Sequence, residues 1–425
     1  MTAAPSGNLW SATCRETVDA PPLAGAATAD LAVIGGGFTG CSAALHAANA
    51  GADVRLIEAR QIGFGGSGRN VGLANAGLWL SPEDIRARLG DEAGSRLIET
   101  LSGAPARVFA LIGEHGIDCE PVQNGTLHCA HSRAALATLE RNCRQLRAIG
   151  APVRLLDCEE TALRAGTHIY AGSLFDPRAG TIQPLAYARG LARAAVAAGA
   201  HLHQQSPAVS VGHRDGAWTV RTADGEVRAG ALLVATNAYH REIAGMNAPP
   251  LVHMPYFQLA TAPLDDAARA AVLPGGEGCW DTAMVMSSFR VDRAGRLILG
   301  GIGSLDHAGG NVHVGWARRQ FKRLFPGLPA PVFEHQWCGT IAMSADKTPQ
   351  ILRFGPNGYA IFGFSGRGIG PGTLFGASAA DAMLSGDESR FVVPPIARYH
   401  DRMTGLRSLA LRHGATLVHG FKARL

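Results

Sequence analysis

The sequence predicts an α/β chain, α+β overall, in which a parallel-sheet domain of βαβ type is interleaved with a second domain built on an antiparallel sheet. Three observations predict it. An apolar strand runs directly into a glycine cluster and then an alanine-rich helix. The same strand–glycine–helix order returns near the C-terminus. Between the two lie β-rich segments of another pattern, with no internal repeat.

The composition fits such a protein. At about 150 residues per domain, 425 residues make roughly two to three domains. Hydrophobic residues make up 47% and charged residues 17%, which suits a packed core and excludes a largely disordered chain. Lys+Arg 39 against Asp+Glu 34 leaves +5 without any block of like charge, so a nucleic-acid partner is not expected. The eight cysteines include no CxxC and no zinc-like spacing with histidine. They read as reduced thiols of a cytoplasmic protein, and no metal is expected. The N-terminus lacks the basic start and apolar run of a secretory signal, and no apolar stretch is long enough for a membrane span.

Along the chain, residues 1–28 read as an irregular arm. Asp30–Ile34 is a buried-type strand, Phe38 to Ala50 a helix ended by Gly51, and Asp53–Ile57 the next strand. Residues 82–150 read as mainly helical. Leu136, Leu139, Cys143, Leu146 and Ile149 share one helical face and leave Arg133, Arg141, Arg144 and Arg147 as a solvated one. Leu185–Ala198 is a second alanine-rich helix. Val209–Val211, Ala217–Thr222 and Ala231–Ala235 follow as a meander with Asp-Gly turns. Strand-like runs stand at Tyr256–Thr261, Met284–Val291 and Arg296–Gly300, and Tyr359–Phe364 leads into a helix from about Thr373 to Leu384. The domains expected are discontinuous. Residues 1–90, 151–250 and 338–395 form the βαβ domain, 91–150 and 251–337 the second, and 396–425 a C-terminal extension.

The strongest motif is the GxGxxG of Gly35, Gly37 and Gly40, with Phe38 and Thr39 inside it. It sits between strand and helix, as a Rossmann-like dinucleotide site requires. The first glycine permits the turn, the second lets a pyrophosphate approach, and the third lets helix and strand pack closely. The helix N-terminus then offers N–H groups and a positive dipole end to the phosphates. Glu58 closes the next strand 18 residues past Gly40, at the place of a carboxylate that holds a ribose hydroxyl, and Ala59 and Arg60 follow it. A second constellation, Gly63 to Asn70, is rich in donors and in glycine and continues that site through Gly66, Ser67, Arg69, Asn70 and Val71. A third, Phe364 to Thr373, sets another helix N-terminus behind glycines, where negative charge is stabilised.

The run GGGFTGCSAALHAANAGADVRLIEARQIGFGGSGRN resembles the opening of the FAD-dependent D-amino-acid-oxidase-like family, which includes glycine and sarcosine oxidases. Within it the sequence is most similar to gamma-glutamylputrescine oxidoreductases. LLVATNAY at 232–239, WCGT at 337–340 and FGFSGRGIG at 362–370 extend the resemblance from about residue 8 to 390. It implies an FAD-binding domain and a substrate domain. FAD would lie with its ADP half on Gly35–Gly40 and Glu58, with Ser67, Arg69 and Asn70 near pyrophosphate and flavin. Val209 would meet the adenine through its backbone, and Gly366, Gly368, Ile369 and Gly370 would line the flavin's pyrimidine edge. The implied reaction oxidises the C–N bond of a small amine or amino acid to an imine that water hydrolyses. Electrons pass to oxygen or to another acceptor. Because the flavin takes the hydride, no side-chain base is compulsory.

Three departures from the family pattern stand out. Arg367 replaces the usual histidine of Ser-Gly-His-Gly. Ile298 stands where some oxidases carry an oxygen-activating lysine, which favours a dehydrogenase. Met343 stands near the place of a flavin-tethering cysteine, so non-covalent FAD is expected. Candidate substrate-pocket residues are Trp79, Tyr256, Gln258, Arg290 and Arg367, with Arg290 able to clamp a carboxylate. Cys338 reads as a packed thiol, and His201 and His203 carry no metal pattern. An alternative function is an FAD-binding module of an RNA-modifying enzyme, for which the missing basic patch is unfavourable.

Overall fold

The computed structural model describes residues 7–306 and 309–421. Residues 1–6 of the expected arm and 422–425 of the expected extension lie outside the described residues. Five parallel strands form the centre of the first sheet, in the order Gly358–Phe362, Gly225–Val234, Gly25–Ile34, Val54–Ile57, His201–His203. Antiparallel Gln350–Gly355 closes one edge. The meander Ser210–Arg214 and Ala217–Arg221 folds onto Gly225–Val234. Leu31–Ile34 are buried throughout, which is why that run is wholly apolar. Helices Phe38–Asn49, Pro184–Ala197 and Ile369–Ser385 cover one face of this sheet. Their alanines and glycines let the backbones approach closely.

The second sheet orders Phe333–Met343, Val252–Pro263, Arg296–Ile302, Ser287–Val291, Gly278–Asp281, Thr126–Cys129, Ser173–Asp176 and Arg154–Leu156. Neighbours are antiparallel except the pair Gly278–Asp281 with Thr126–Cys129. Helix Gly310–Leu324 packs on its outer face, with Phe321 and Leu324 joining Phe257, Phe289 and Leu299 in one apolar core.

The structure divides the chain at other points than expected. Helices Asp91–Ser102 and Ala104–Glu114 bury Leu97, Leu101, Val108 and Leu111 in the same core as Leu31 and Val33, so they belong with the first sheet. Arg154–Leu156 and Ser173–Asp176, expected with the first sheet, are strands of the second, as is all of Phe333–Met343, while Thr126–Cys129 lies in the second sheet where its segment was expected. Short strands that depend on distant partners leave little periodic signal in their own residues.

The N-terminal arm is also less irregular than expected. It carries a short helix, Leu9–Thr13, and the first strand begins at Gly25. Leu9 and Trp10 are wholly buried. In the C-terminal segment, helix Thr404–Phe421 rests on Val252–Pro263 and Gly310–Leu324, and His419 stacks on Trp316 at 4.1 Å.

Candidate functional site

A cavity of about 770 Å³ runs between the two sheets. One end is built from the first strand–helix turn. Gly35 holds φ +111°, which side chains disfavour, and a Cβ there would stand 3.0 Å from the Ala235 carbonyl. A Cβ on Gly40 would lie 1.9 Å from the Gly35 oxygen, so only glycine permits this helix to sit so close to its strand. Glu58 uses both carboxylate oxygens, accepting from the Gly36 N–H at 2.7 Å and the Arg60 N–H at 2.8 Å. Burial raises its pKa, and the backbone donors of Gly36 and Arg60 oppose that rise. Ser67 Oγ accepts from the Phe38 N–H at 3.0 Å and so ties the Gly63–Asn70 loop to the helix N-terminus.

That loop is clamped from outside by the N-terminal arm. Asn8 Nδ2 donates to the Gly68 carbonyl at 2.7 Å, and Trp10 Nε1 to the Asn70 carbonyl at 2.8 Å. Trp337 Nε1 donates to the Arg69 carbonyl at 2.8 Å and meets Trp10 edge to face.

The other end is an aromatic box. Trp79 and Trp280 meet edge to face with centroids 6.2 Å apart, and His128 stacks on Trp280 at 5.0 Å. The Arg367 guanidinium carbon stands 4.5 Å from the Trp79 centroid and 5.0 Å from that of Trp280. Tyr256 and Gln258 project from one face of Val252–Pro263 as the floor. Their terminal oxygens lie over Gly339 and Gly300, where a larger residue would not fit. Burial, with the positive charge of Arg367, holds the His128 imidazole down to about 3, so it is neutral near pH 7. Thr138, Leu139 and Asn142 of helix Arg133–Ala148 close this end. The arginines of that helix stay outside, with Arg144 paired to Glu140.

Of the sequence-derived candidates, the cavity wall brings together Gly35, Gly37, Phe38, Thr39, Glu58, Ala59, Arg60, Gly66, Ser67, Asn70, Val71, Trp79, Tyr256, Gln258, Gly366, Arg367, Gly368 and Ile369. Gly40 lies behind it in its packing role, and Gly370 packs on Ala104. Arg69 turns away to donate to the Phe64 and Cys338 carbonyls.

Two expectations are corrected. Val209 is not on the wall. Its N–H donates to the Arg221 carbonyl and its own carbonyl accepts from Ala244, while Pro207 and Ala208 line the cavity. Arg290 is not on the wall either. It shares a face with Ser288, which is, but stands one strand repeat further along. There its Nη1 donates to the Gly72 and Ile182 carbonyls and its guanidinium faces Trp10. Ile298 packs with Leu9, Trp10 and Trp337 away from the cavity. The Cys338 thiol accepts from the Leu305 N–H, and burial pushes it up to about 11, which keeps it protonated.

Asn75, His128, Tyr239, Trp280, Asp281 and Ser288 line the site without having been read from the sequence. Their signal was parity alone: Trp280 and Ser288 oppose each other on adjacent strands. Among the described residues no cluster of three or more His, Cys, Asp or Glu could hold a metal, and no helix is long and apolar enough to cross a membrane.

The nucleotide end fits a dinucleotide on its own chemistry. The helix N-terminus is open to the cavity, a Cβ on Gly37 would come within 2.9 Å of Ser67 Oγ and crowd the cradle, and the Glu58 carboxylate lines the same wall from the end of the next strand.

Comparison with known proteins agrees. A family model described as FAD dependent oxidoreductase matches residues 30–382. The chain is 32% identical to a probable oxidoreductase OrdL of Rhizobium meliloti, over 86% of this chain and 85% of that one. It is 30% identical to the gamma-glutamylputrescine oxidoreductase of Escherichia coli, again over 86% and 85%. Among solved structures, glycine oxidase from Geobacillus kaustophilus shares the fold with a TM-score of 0.72 at 19% identity, covering 86% of this chain and 96% of that one. The chain therefore belongs to the FAD-dependent oxidoreductase family typified by D-amino-acid oxidase, and FAD is its cofactor.

Proposed function

We propose that the protein oxidises the C–N bond of a small amine or amino acid. The observation that carries this reading is one continuous cavity, with a dinucleotide cradle at one end and an aromatic box at the other. Gly35–Thr39, Glu58 and Ser67 would hold FAD there, and it would supply a two-electron oxidation of the C–N bond, the resulting imine being hydrolysed by water. The chain's part is to position and desolvate. Trp79, Trp280 and Tyr256 exclude water from the amine, and the positive charge of Arg367 disfavours an ammonium, so both lower the amine's pKa toward the reactive neutral form. The neutral imidazole of His128 adds no further charge.

In this reading the first sheet and its helices bind FAD, and the second sheet holds the substrate. FAD is held without a covalent bond, since Met343 on the cavity wall offers no thiol. Acid precipitation then leaves all the yellow colour in the supernatant.

The deciding experiment is anaerobic. Bleaching of the flavin band at about 450 nm is followed against glycine, sarcosine, D-amino acids and glutamylated polyamines. Bleaching by at least one class is expected, and a band unchanged by all of them overturns the reading. Admitting air then identifies the acceptor. Slow recovery of colour would match the isoleucine at position 298, where a lysine would favour oxygen.

A further inference from the structure

We propose that the outer surface formed by helices Thr404–Phe421 and Gly310–Leu324 docks on an anionic lipid bilayer, with Thr404–Phe421 lying flat in the headgroup layer. Single hydrophobics scattered over a protein surface are ordinary, but a row of them is not. Of the eleven large hydrophobics exposed among the described residues, five fall in residues 403–421: Met403, Leu406, Leu409, Leu417 and Phe421. Each is more than half exposed. Leu406, Leu409, Leu417 and Phe421 recur at helical spacing and share one face, and Met403 extends it from just before the first turn. Ala415 and His419, the buried residues of this helix, fall on the opposite face, where Ser408 Oγ accepts from the His253 N–H at 2.9 Å. One face therefore holds the helix to the second sheet, and the other is an apolar stripe turned to the medium.

Charge identifies the partner. Gly310–Leu324 carries Arg318, Arg319, Lys322 and Arg323, all exposed, and Thr404–Phe421 carries Arg407 and Arg412. Neither helix contains Asp or Glu. Six cations thus gather on two helices packed together, against a net of +5 for the whole chain. They come from two distant segments, so no run of the sequence displays them. Strand Val252–Pro263 beneath them is uncharged. Arg407 and Arg412 flank the stripe on opposite sides. Arg407 is steadied by Asp401 at 2.5 Å, and Arg319 by the His419 carbonyl at 2.9 Å. A second copy of this chain would set like charges against each other. Nucleic acid would match the cations but leave the leucines and methionine without an apolar partner. An anionic bilayer matches both, with lipid phosphate for the cations and the acyl boundary for the stripe.

The test is flotation of the purified holoenzyme with vesicles of equal parts phosphatidylglycerol and phosphatidylcholine, with pure phosphatidylcholine vesicles as the neutral control. The holoenzyme is expected to float with the anionic vesicles and not with the neutral ones. Raising salt from about 0.1 M to about 0.5 M should weaken the association. Arg412→Glu changes the surface by two charge units and should weaken binding about twenty-five-fold, at about fivefold per unit. Leu406→Asp combined with Leu417→Asp should abolish it. Both leucines are exposed and neither lines the cavity, so FAD content should be unchanged. Should the double variant fail to fold, Leu417→Ser alone carries the comparison, with an expected loss of about tenfold.

Failure to float with the anionic vesicles overturns the proposal, and so does equal binding to the neutral ones. Binding that the aspartate pair leaves intact overturns it too, because cations elsewhere would then carry the contact. The rival occupants have their own signatures. A holoenzyme dimer that the aspartate pair splits, followed by analytical ultracentrifugation, gives the stripe to a second copy. A gel shift with RNA that the same pair abolishes gives it to nucleic acid. Either result overturns the assignment to lipid. Flotation does not depend on flavin chemistry, so its outcome is separate from that of the C–N oxidation reading.

Discussion

The two ends of the cavity are built by different means. The nucleotide end comes mainly from one short stretch, Gly35 to Val71, with Pro207, Ala208 and Ala235 beside it, and works largely through backbone: a turn, a helix N-terminus, and N–H groups held by Glu58 and Ser67. The box at the other end draws Trp79, His128, Tyr256, Trp280 and Arg367 from distant parts of the chain and works through side-chain faces. Backbone geometry tolerates little change because each position answers to a fixed neighbour. Side-chain walls can be repainted while the sheet behind them persists. The difference explains how one cofactor site can be kept while the substrate site diverges.

Perturbations of the first end should therefore be the more severe. The largest effect is expected at Trp10, which joins the arm to the glycine loop from behind the cavity. Replacing it with alanine removes a wholly buried indole and its bond to the Asn70 carbonyl. The expected loss is about 3–5 kcal/mol of stability, read as a lower denaturant midpoint, together with weaker FAD retention on dialysis. Unchanged retention would mean that the loop holds its shape without the arm. Gly40→Ala comes next. The added methyl meets a backbone oxygen that cannot swing aside, so the helix must move off its strand. A cost at the upper end of about 1–3 kcal/mol is expected, with a preparation that purifies pale and regains little colour from added FAD. A variant that is fully yellow would show that the close crossing is not what forms the cradle.

The same contrast decides what could be read in advance. The strand, the GxGxxG turn, the helix and Glu58 were legible because each lies within a few residues of the next, so their pattern in sequence is also their pattern in space. Trp79, Tyr256, Gln258 and Arg367 were legible as candidates through position beside recognisable motifs. His128 and Trp280 were not. They meet because Thr126–Cys129 runs parallel to Gly278–Asp281, a pairing across some 150 residues that no local periodicity encodes. Arg290 misled for a related reason. The strand was inferred, but where along it the side chain ends up depends on where Trp10 and Ile182 fill space. Trp10 was hidden because a five-residue helix in an Ala- and Pro-rich arm carries no periodic signal.

The smallest effect expected is the one that most sharply separates the two ends: they titrate in opposite senses. At the box, burial holds His128 at about 3 in the folded chain, against 6.5 ordinarily. Between those values the unfolded chain binds a proton that the folded chain refuses, so stability is full above pH 6.5 and declines as pH falls toward 3. At the nucleotide end, burial raises the Glu58 pKa above its usual 4.5. Here the folded chain holds the extra proton, so the contribution is present below pH 4.5 and is lost as pH rises through the raised value. His128→Phe keeps the ring against Trp280 but cannot take up a proton. It should flatten the loss of stability between pH 7 and pH 5 by on the order of 1 kcal/mol, read from denaturant midpoints at the two values. Some slope should survive, because His419, held at about 3 by burial in the second core, acts in the same direction. Glu58→Gln should do the reverse and steepen the acid decline, since it removes the group that gains a proton on folding. If both variants leave the slope where it was, the two ends of the cavity are wetter than their packing implies.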